Sequence, residues 1–364
     1  MRKVFVFLSI LVLLISSCST TMRIRYRQPS RIDMGSYRSI AIASSIPYRY
    51  FRSPDRYIPT RDNLSRQNHG YIPSSYDSSL SRRVASALTD TVVKTLSESN
   101  YFESVMLPDN TDRILSMENR NDLFEWYGVD AIVIPKVDSM SVQEFIYSNS
   151  SSRSVFNSSG EPRIVRDVEY HYDRTCYLVL SVSIVDASSE RLIGSVRFPL
   201  DRHESTLIGP FLYTSDPYYT FRDMISSISG RLERELVPTL TYRDISLMRN
   251  KPKLEGAEIA YSMVEEGRYI DARNEFLRIF NASGHLPSGY NASLITAAIG
   301  DLDGALLILS NVNKECYSEE AAGLYSTLLE IKNSNEEARK QLEGIGEKWD
   351  GEYGSALDVI LEDE

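Results

Sequence analysis

Histidine and cysteine are scarce in this chain: four histidines and three cysteines in 364 residues. The histidines, His69, His171, His203 and His285, are isolated from one another, and none sits in a His-Glu-x-x-His helix or a Cys/His ligand cluster. Each reads as a surface or loop histidine. No Gly-x-Ser-x-Gly elbow, phosphate-cradling Gly-Lys-Ser/Thr loop or dinucleotide fingerprint is present, which leaves hydrolase, kinase and Rossmann chemistry without their usual support. The expectation is therefore no catalytic residue, no cofactor and no metal site. Asp301 and Asp303 lie beside Gly300 at a turn, where an aspartate caps the following helix. The formal charge of -10 argues against a nucleic-acid partner.

Long apolar runs are also missing, apart from Val4 to Ile15, which is too short to span a bilayer. It follows Arg2 and Lys3 and leads into Ile15-Ser16-Ser17-Cys18. This arrangement resembles a bacterial lipoprotein signal ending in its lipobox, so residues 1–17 are set aside from the fold. The resemblance implies that Cys18 becomes the mature N-terminus and carries acyl chains on sulfur and amine, giving stable membrane attachment. Ser19 rather than Asp follows it, which under the enterobacterial sorting rule favours the outer membrane, with the body on the periplasmic side. The next stretch is dense in arginine (Arg23, Arg25, Arg27, Arg31), and residues 18–35 read as a solvated, lipidated tether. Cys176 and Cys316 remain, far apart in sequence. They read as small buried hydrophobes rather than a disulfide.

A self-similarity with a period of 33 residues links Ala272, Ala305 and Ala338, and likewise Ala260, Ser293 and Ser326. Gly267 maps to Gly300 and Asn333, Tyr269 to Leu302, and Phe276 to Leu309 and Leu342. Each unit reads as two amphipathic helices: 255–266 with 269–280, 288–299 with 302–311, and 319–331 with 335–348. Gly or Asn supplies the left-handed turn, and the small residues allow close helix packing. Ala260, Gly267, Tyr269, Ala272 and Phe276 make the first unit resemble the tetratricopeptide repeat, over residues 253–349. Gly256, Ile259 and Gly284 replace residues that the repeat usually carries. The resemblance implies a concave face that binds peptides or proteins, with Tyr261 and Tyr290 as surface probes; a bundle that merely packs on the other domain is the alternative.

Before the repeats, periods of two and 3.6 alternate, which predicts an α/β layer structure over residues 36–240. Expected strands are 39–46, 101–107, 131–135 continuing to 147, 175–185 and 191–199; expected helices are 77–98, 112–127 and 218–236. Leu178, Leu180, Val182 and Ile184 alternate cleanly before the turn at 186–190. Ser99-Asn100-Tyr101-Phe102, Gly128-Val129-Asp130-Ala131-Ile132-Val133 and Ser183-Ile184-Val185-Asp186 are similar to stretches of the curli-secretion lipoprotein family and its relatives, including lipoproteins that activate peptidoglycan synthases. A group of bacterial lipoproteins joining such a core to tetratricopeptide-like repeats looks closer still; for it the resemblance implies an architecture and not an activity.

The expected fold is thus a mixed α/β sandwich-like domain with a mostly antiparallel sheet, a linker over 241–252, all-α tetratricopeptide-like hairpins over 253–349 and an acidic tail over 350–364. Residues 47–76 interleave arginines with Tyr48, Tyr50, Phe51, Tyr57 and Tyr71, a composition that suits a contact loop or a cover for the sheet edge. Residues 148–160 form a Ser/Asn-rich excursion between strands, where the curli-secretion family carries a membrane-inserting hairpin; Arg163, Arg166, Asp167, Glu169 and His171 break any lipid-facing pattern and favour a hairpin outside the membrane. Three functional readings follow. The first is a membrane-anchored scaffold that binds an unidentified envelope protein in envelope assembly or maintenance; the second is an oligomeric export component; the third is an envelope glycan hydrolase.

Overall fold

The computed structural model describes residues 20–49, 56–59, 69–72, 78–106, 127–208 and 215–343. The chain has a mixed α/β part and a helical part, and it divides into two compact units that do not follow the sequence order expected. One unit takes residues 31–237. The other takes both ends of the chain, up to Ser30 and from Pro238 onward.

In the α/β unit, five strands make one sheet: β2 (Ser39–Ile42), β5 (Ser104–Met106), β6 (Ala131–Phe156), β7 (Pro162–Asp186) and β8 (Leu192–Ile208), in the order β5-β2-β6-β7-β8. The sheet is mixed. β2 is parallel to both β5 and β6, while β6 to β8 form an antiparallel meander. Helix α1 (Ser78–Glu98) packs against β2, β5 and β6, and α2 (Pro217–Ser226) against β7 and β8. The apolar alternation does what the pleat requires: Leu178, Leu180, Val182 and Ile184 are all fully buried, with Val196 and Phe198 of the next strand also buried. The expected single helix over 218–236 is two, since α2 stops at Ser226 and α3 (Ser229–Leu236) restarts after Ser227 and Ile228. Ser226, Ser227 and Ser229 turn their hydroxyls back onto the carbonyls of Asp223, Met224 and Ser226, competing with the helical ladder at the break. The helix expected over 112–127 lies almost wholly outside the described residues.

The helical unit opens with a strand where a tether was expected. β1 (Thr21–Gln28) pairs antiparallel along its whole length with β9 (Thr239–Ser246), which takes up the first half of the expected linker. The arginines that suggested a solvated tether alternate with Met22, Ile24 and Tyr26, so one face of β1 is apolar. Five helices follow: α4 (Glu255–Glu265), α5 (Tyr269–Ser283), α6 (Leu286–Ala298), α7 (Leu302–Glu315) and α8 (Glu319–Leu342). Gly267 and Gly300 hold the left-handed turns inside the first two helix pairs, with φ of 75° and 97°. Asp301 caps α7 by accepting from the Gly304 N–H at 2.8 Å. The third pair does not form. α8 runs unbroken through Asn333, where a hairpin turn was expected; Asn costs a helix interior somewhat less than the glycine at that place in the first two units, by a few tenths of a kcal/mol in order of magnitude. Helix α6 is buried on every side, from Pro287 to Ala298. Gly289 lets its neighbours in: a Cβ there would lie 2.5 Å from Val312 Cγ2 and 2.8 Å from Phe280 Cδ2.

The ribbon is locked to the helices by Asn291 of α6. Its carboxamide accepts from the Met248 N–H at 2.7 Å and donates to the Met248 carbonyl at 2.9 Å and to the Tyr261 hydroxyl at 2.8 Å. Asn291→Ala removes all three bonds from a fully buried site, so it should lower stability by about 2–3 kcal/mol. Ile259→Ser, at an exposed position on α4, should stay within about 0.5 kcal/mol of the parent. Scanning calorimetry of both variants checks the contrast.

Candidate interaction surfaces

Cys18 lies outside the described residues, as do Tyr50 and Phe51 of the expected contact loop. The rest of that loop is partly ordered into a sheet of its own. β3 (Arg56–Pro59) and β4 (His69–Ile72) pair antiparallel, and Tyr57 is directly opposite Tyr71. Tyr48 is half-buried, and its carbonyl accepts from the Ser81 hydroxyl at 2.7 Å.

The repeat residues are mostly buried, and those of the first two units share one core. Ala260, Ala272, Phe276, Ser293, Ala305, Leu309 and Ala338 are fully buried and Leu342 nearly so, while Tyr269 is partly buried against the same cluster. The face expected to receive a partner is already filled. Met22 and Ile24 of β1 and Leu247 just after β9 pack into the helical core with Tyr290 and Leu294 of α6 and Leu324 and Leu328 of α8. Polar contacts fix the same seam: the Arg27 N–H donates to Asn335 of α8 at 2.6 Å, and Ser30 exchanges bonds with Gln341. Tyr290, expected on the surface, is only 8% exposed, and Tyr261 is half-buried against the same core, where burial pushes its phenol up to about 12. Its hydroxyl donates to the Met248 carbonyl. His285 is likewise buried rather than at the surface. Its ring bonds Ser288 Oγ at 2.8 Å and the Pro252 carbonyl at 3.0 Å.

An open surface lies elsewhere, on the β6–β7 hairpin. Both strands continue through the Ser/Asn-rich segment as regular pairs as far as Phe156↔Pro162, whereas β8 ends opposite Tyr170. From Asn149↔Glu169 outward the described residues give the two strands no third partner, leaving a ribbon on the order of 25 Å long at ordinary strand rise. Its tip is a defined turn: Asn157 Oδ1 accepts from the N–H groups of Ser159 and Glu161, and Gly160 takes a φ of 79°. Ser154 pairs with Ile164, so Phe156 and Ile164 share a face next to the turn. They are 70% and 72% exposed. Arg153 and Asp167 form a 3.0 Å pair on the opposite face. The ribbon can add a strand at either edge or offer its apolar tip, and the charges along it guard against indiscriminate pairing.

At the base of the ribbon is a buried ionic joint that motif reading did not anticipate. Arg174 of β7 is fully buried and donates Nε and Nη2 to Glu144 Oε1 of β6 at 3.0 and 2.9 Å. The Tyr172 hydroxyl donates to the same oxygen. The other guanidinium nitrogen reaches Ser215 Oγ at 3.1 Å and Thr220 Oγ1 of α2 at 3.3 Å, and Glu204 of β8 stands 3.8 Å away. Three strands and a helix therefore meet on one cation. Beside it, burial pushes the Cys176 thiol up to about 12, which makes it an inert apolar filler. Glu144, Arg174 and Tyr172 lie in an alternating strand pattern where apolar residues are the rule, and that break in the pattern was the available signal. At the start of α2, Asp216 caps Tyr218 and pairs with Arg83 at 2.8 Å. Burial raises its carboxyl, but the Tyr218 N–H and Arg83 outweigh this, for a net downward shift.

No family model and no curated protein matches the chain. Among solved structures it is similar to the PelC dodecamer from Paraburkholderia phytofirmans, with 10% identity over 58% of this chain and 96% of that one at a TM-score of 0.21. It is also similar to protein XCC0632 from Xanthomonas campestris, with 13% identity over 57% and 83% at a TM-score of 0.27. Lipoprotein GNA1162 from Neisseria meningitidis gives 10% identity over 53% and 97% at a TM-score of 0.22. Likeness at these scores decides nothing about shared function.

The joint makes a non-additive prediction. Arg174→Ala leaves the Glu144 carboxylate buried without its cation and should cost about 3–5 kcal/mol. Glu144→Leu combined with Arg174→Met removes both charges and should cost less than the single change, as read by urea unfolding of the three proteins.

Proposed function

We propose that the protein is a lipid-anchored scaffold of the bacterial envelope, acylated at Cys18 and facing the periplasm from the outer membrane, and that it engages a protein partner through the β6–β7 ribbon rather than through its helices. The observation that carries this reading is the pairing of an exposed apolar tip, Phe156 with Ile164, with a helical face whose own ribbon already fills it. Among the described residues no helix is long and apolar enough to cross a membrane. In this reading the acyl chains expected on Cys18 supply the attachment. The reading is non-enzymatic. Around Arg174 the charged groups satisfy one another away from solvent, an arrangement suited to holding strands and unsuited to receiving a substrate.

A second reading is assembly of several copies into an export component, favoured by a ribbon to which the described residues give no third strand at either edge. Native mass spectrometry of the detergent-extracted protein separates the two. A monomer overturns the assembly reading, and a closed ring overturns the scaffold as stated.

A photocrosslinker at Ser154, beside Ile164 and Phe156, should give one discrete adduct in intact cells. Phe156→Ser with Ile164→Ser should reduce that adduct at least tenfold while leaving the unfolding temperature unchanged, since both side chains are exposed. An undiminished adduct in a folded double variant would remove the tip from the interface.

A further inference from the structure

The start of β1 and the end of β9 bring a basic loop beside the expected lipid. Thr21 pairs with Ser246, and the Thr20 carbonyl accepts from the Leu247 N–H at 2.9 Å. Only Ser19 separates Thr20 from Cys18, so the acylated residue lies within about 7 Å of that rung even if the chain is fully extended. The chain leaving the rung is Met248-Arg249-Asn250-Lys251-Pro252-Lys253, three cations with no acid among them. All three are exposed.

The loop carrying them is firmly held from within. Asn291 and Tyr261 grip Met248, Asn250 bonds both the N–H and the carbonyl of Leu254 at 3.0 and 2.9 Å, and the buried His285 bonds the Pro252 carbonyl. Inward groups thus fix the backbone while the cationic side chains face out. Glu258 takes part of the charge through a 2.8 Å pair with Lys253, and Glu255 follows at the start of α4. The three cations outnumber these two carboxylates. The other end of the ribbon, where Ser30 meets Gln341, is two dozen ångströms away in order of magnitude, at about 3.3 Å per residue along β1.

We infer that Arg249, Lys251 and Lys253 form a headgroup-binding loop that sits on anionic phospholipid beside the acyl anchor. The inference rests on the acylation of Cys18 and adds a second membrane contact to it; one lipid signal and a basic patch act together through a shared surface. Each cation near an anionic surface strengthens attachment by about fivefold.

The test uses the mature chain from residue 18, without acyl groups, sedimented with phosphatidylcholine vesicles or with vesicles containing about one-third phosphatidylglycerol, where each cation adds roughly fivefold. Binding should require the anionic lipid, weaken with added salt, and fall by tenfold or more in Arg249→Gln/Lys251→Gln/Lys253→Gln. Lys251→Gln/Lys253→Gln should give an intermediate loss, and Arg339→Gln/Lys340→Gln, at the far end of the ribbon, should bind like the parent. Inorganic phosphate at matched ionic strength should not displace the protein; displacement would mean that the loop takes free phosphate and would overturn the lipid assignment. Equal binding by the triple variant and the parent, with both folded by calorimetry, would also overturn it. Intact mass of the protein extracted from its membrane reports acylation separately, so a missing acyl group and a missing headgroup preference are distinct results.

Discussion

The helical unit depends on one long-range pairing, β1 against β9. Taken as a bare loop, bringing Gln28 to Thr239 closes some two hundred residues and costs on the order of 5 kcal/mol of chain entropy. The intervening α/β unit removes most of that cost. Its own two ends meet, with the Ile32 N–H donating to the Glu235 carbonyl at 2.9 Å and Arg31 beside Glu235 at 3.7 Å. A folded insertion therefore delivers its two flanking segments side by side, already antiparallel. What remains is to bury Met22, Ile24 and Leu247 on the helices, each contributing roughly 1.5–3 kcal/mol.

That topology explains what the sequence could and could not show. Local periodicity exposes Leu178 to Ile184 as a half-buried strand and places Gly267 and Gly300 at helix turns, because each signal is written within a few residues of where it acts. β1 carries an equally regular alternation, Met22-Arg23-Ile24-Arg25-Tyr26-Arg27, but its arginines dominate the composition and its partner is far away in sequence. Reading it as a tether mistook one polar face for the whole segment. The unbroken α8 shows the opposite error. A 33-residue repeat extended to Asn333 by arithmetic predicts a turn that the residue there does not enforce. The ribbon tip is a third kind of case. Its serines bury nothing, so no hydrophobic pattern marks how far β6 and β7 run together.

The ionic joint at Arg174 is the price of keeping that ribbon in register. A Ser/Asn-rich pair of strands has little side-chain preference for one pairing over its neighbour, and a slip by one residue would turn every side chain to the other face. Glu144 and Arg174 face each other directly across β6 and β7, at the last stretch where β8 and α2 still give support. A shifted register would separate a buried carboxylate from its guanidinium and strip Ser215 and Thr220 of their donor. An apolar pair of equal volume would tolerate the slip far better. The joint is therefore argued to act through specificity more than through net stability, the use of buried ion pairs for which the physical case is best.

The same distinction between holding and merely linking separates a seated protein from a tethered one. A flexible stretch of 18 residues would let the body sample a wide volume beneath the membrane, with a typical excursion of some 20 Å or more. With β1 starting at Thr21 and locked along its length to β9, an acyl group on Cys18 leaves almost no slack. The helical unit is then held with one particular end toward the lipid, the end that carries the rigid Arg249 to Lys253 loop. Orientation becomes a property of the fold, fixed by a strand whose burial the helices enforce. Any partner of the helical unit must approach a body that cannot turn freely to meet it, across a core that β1 already fills.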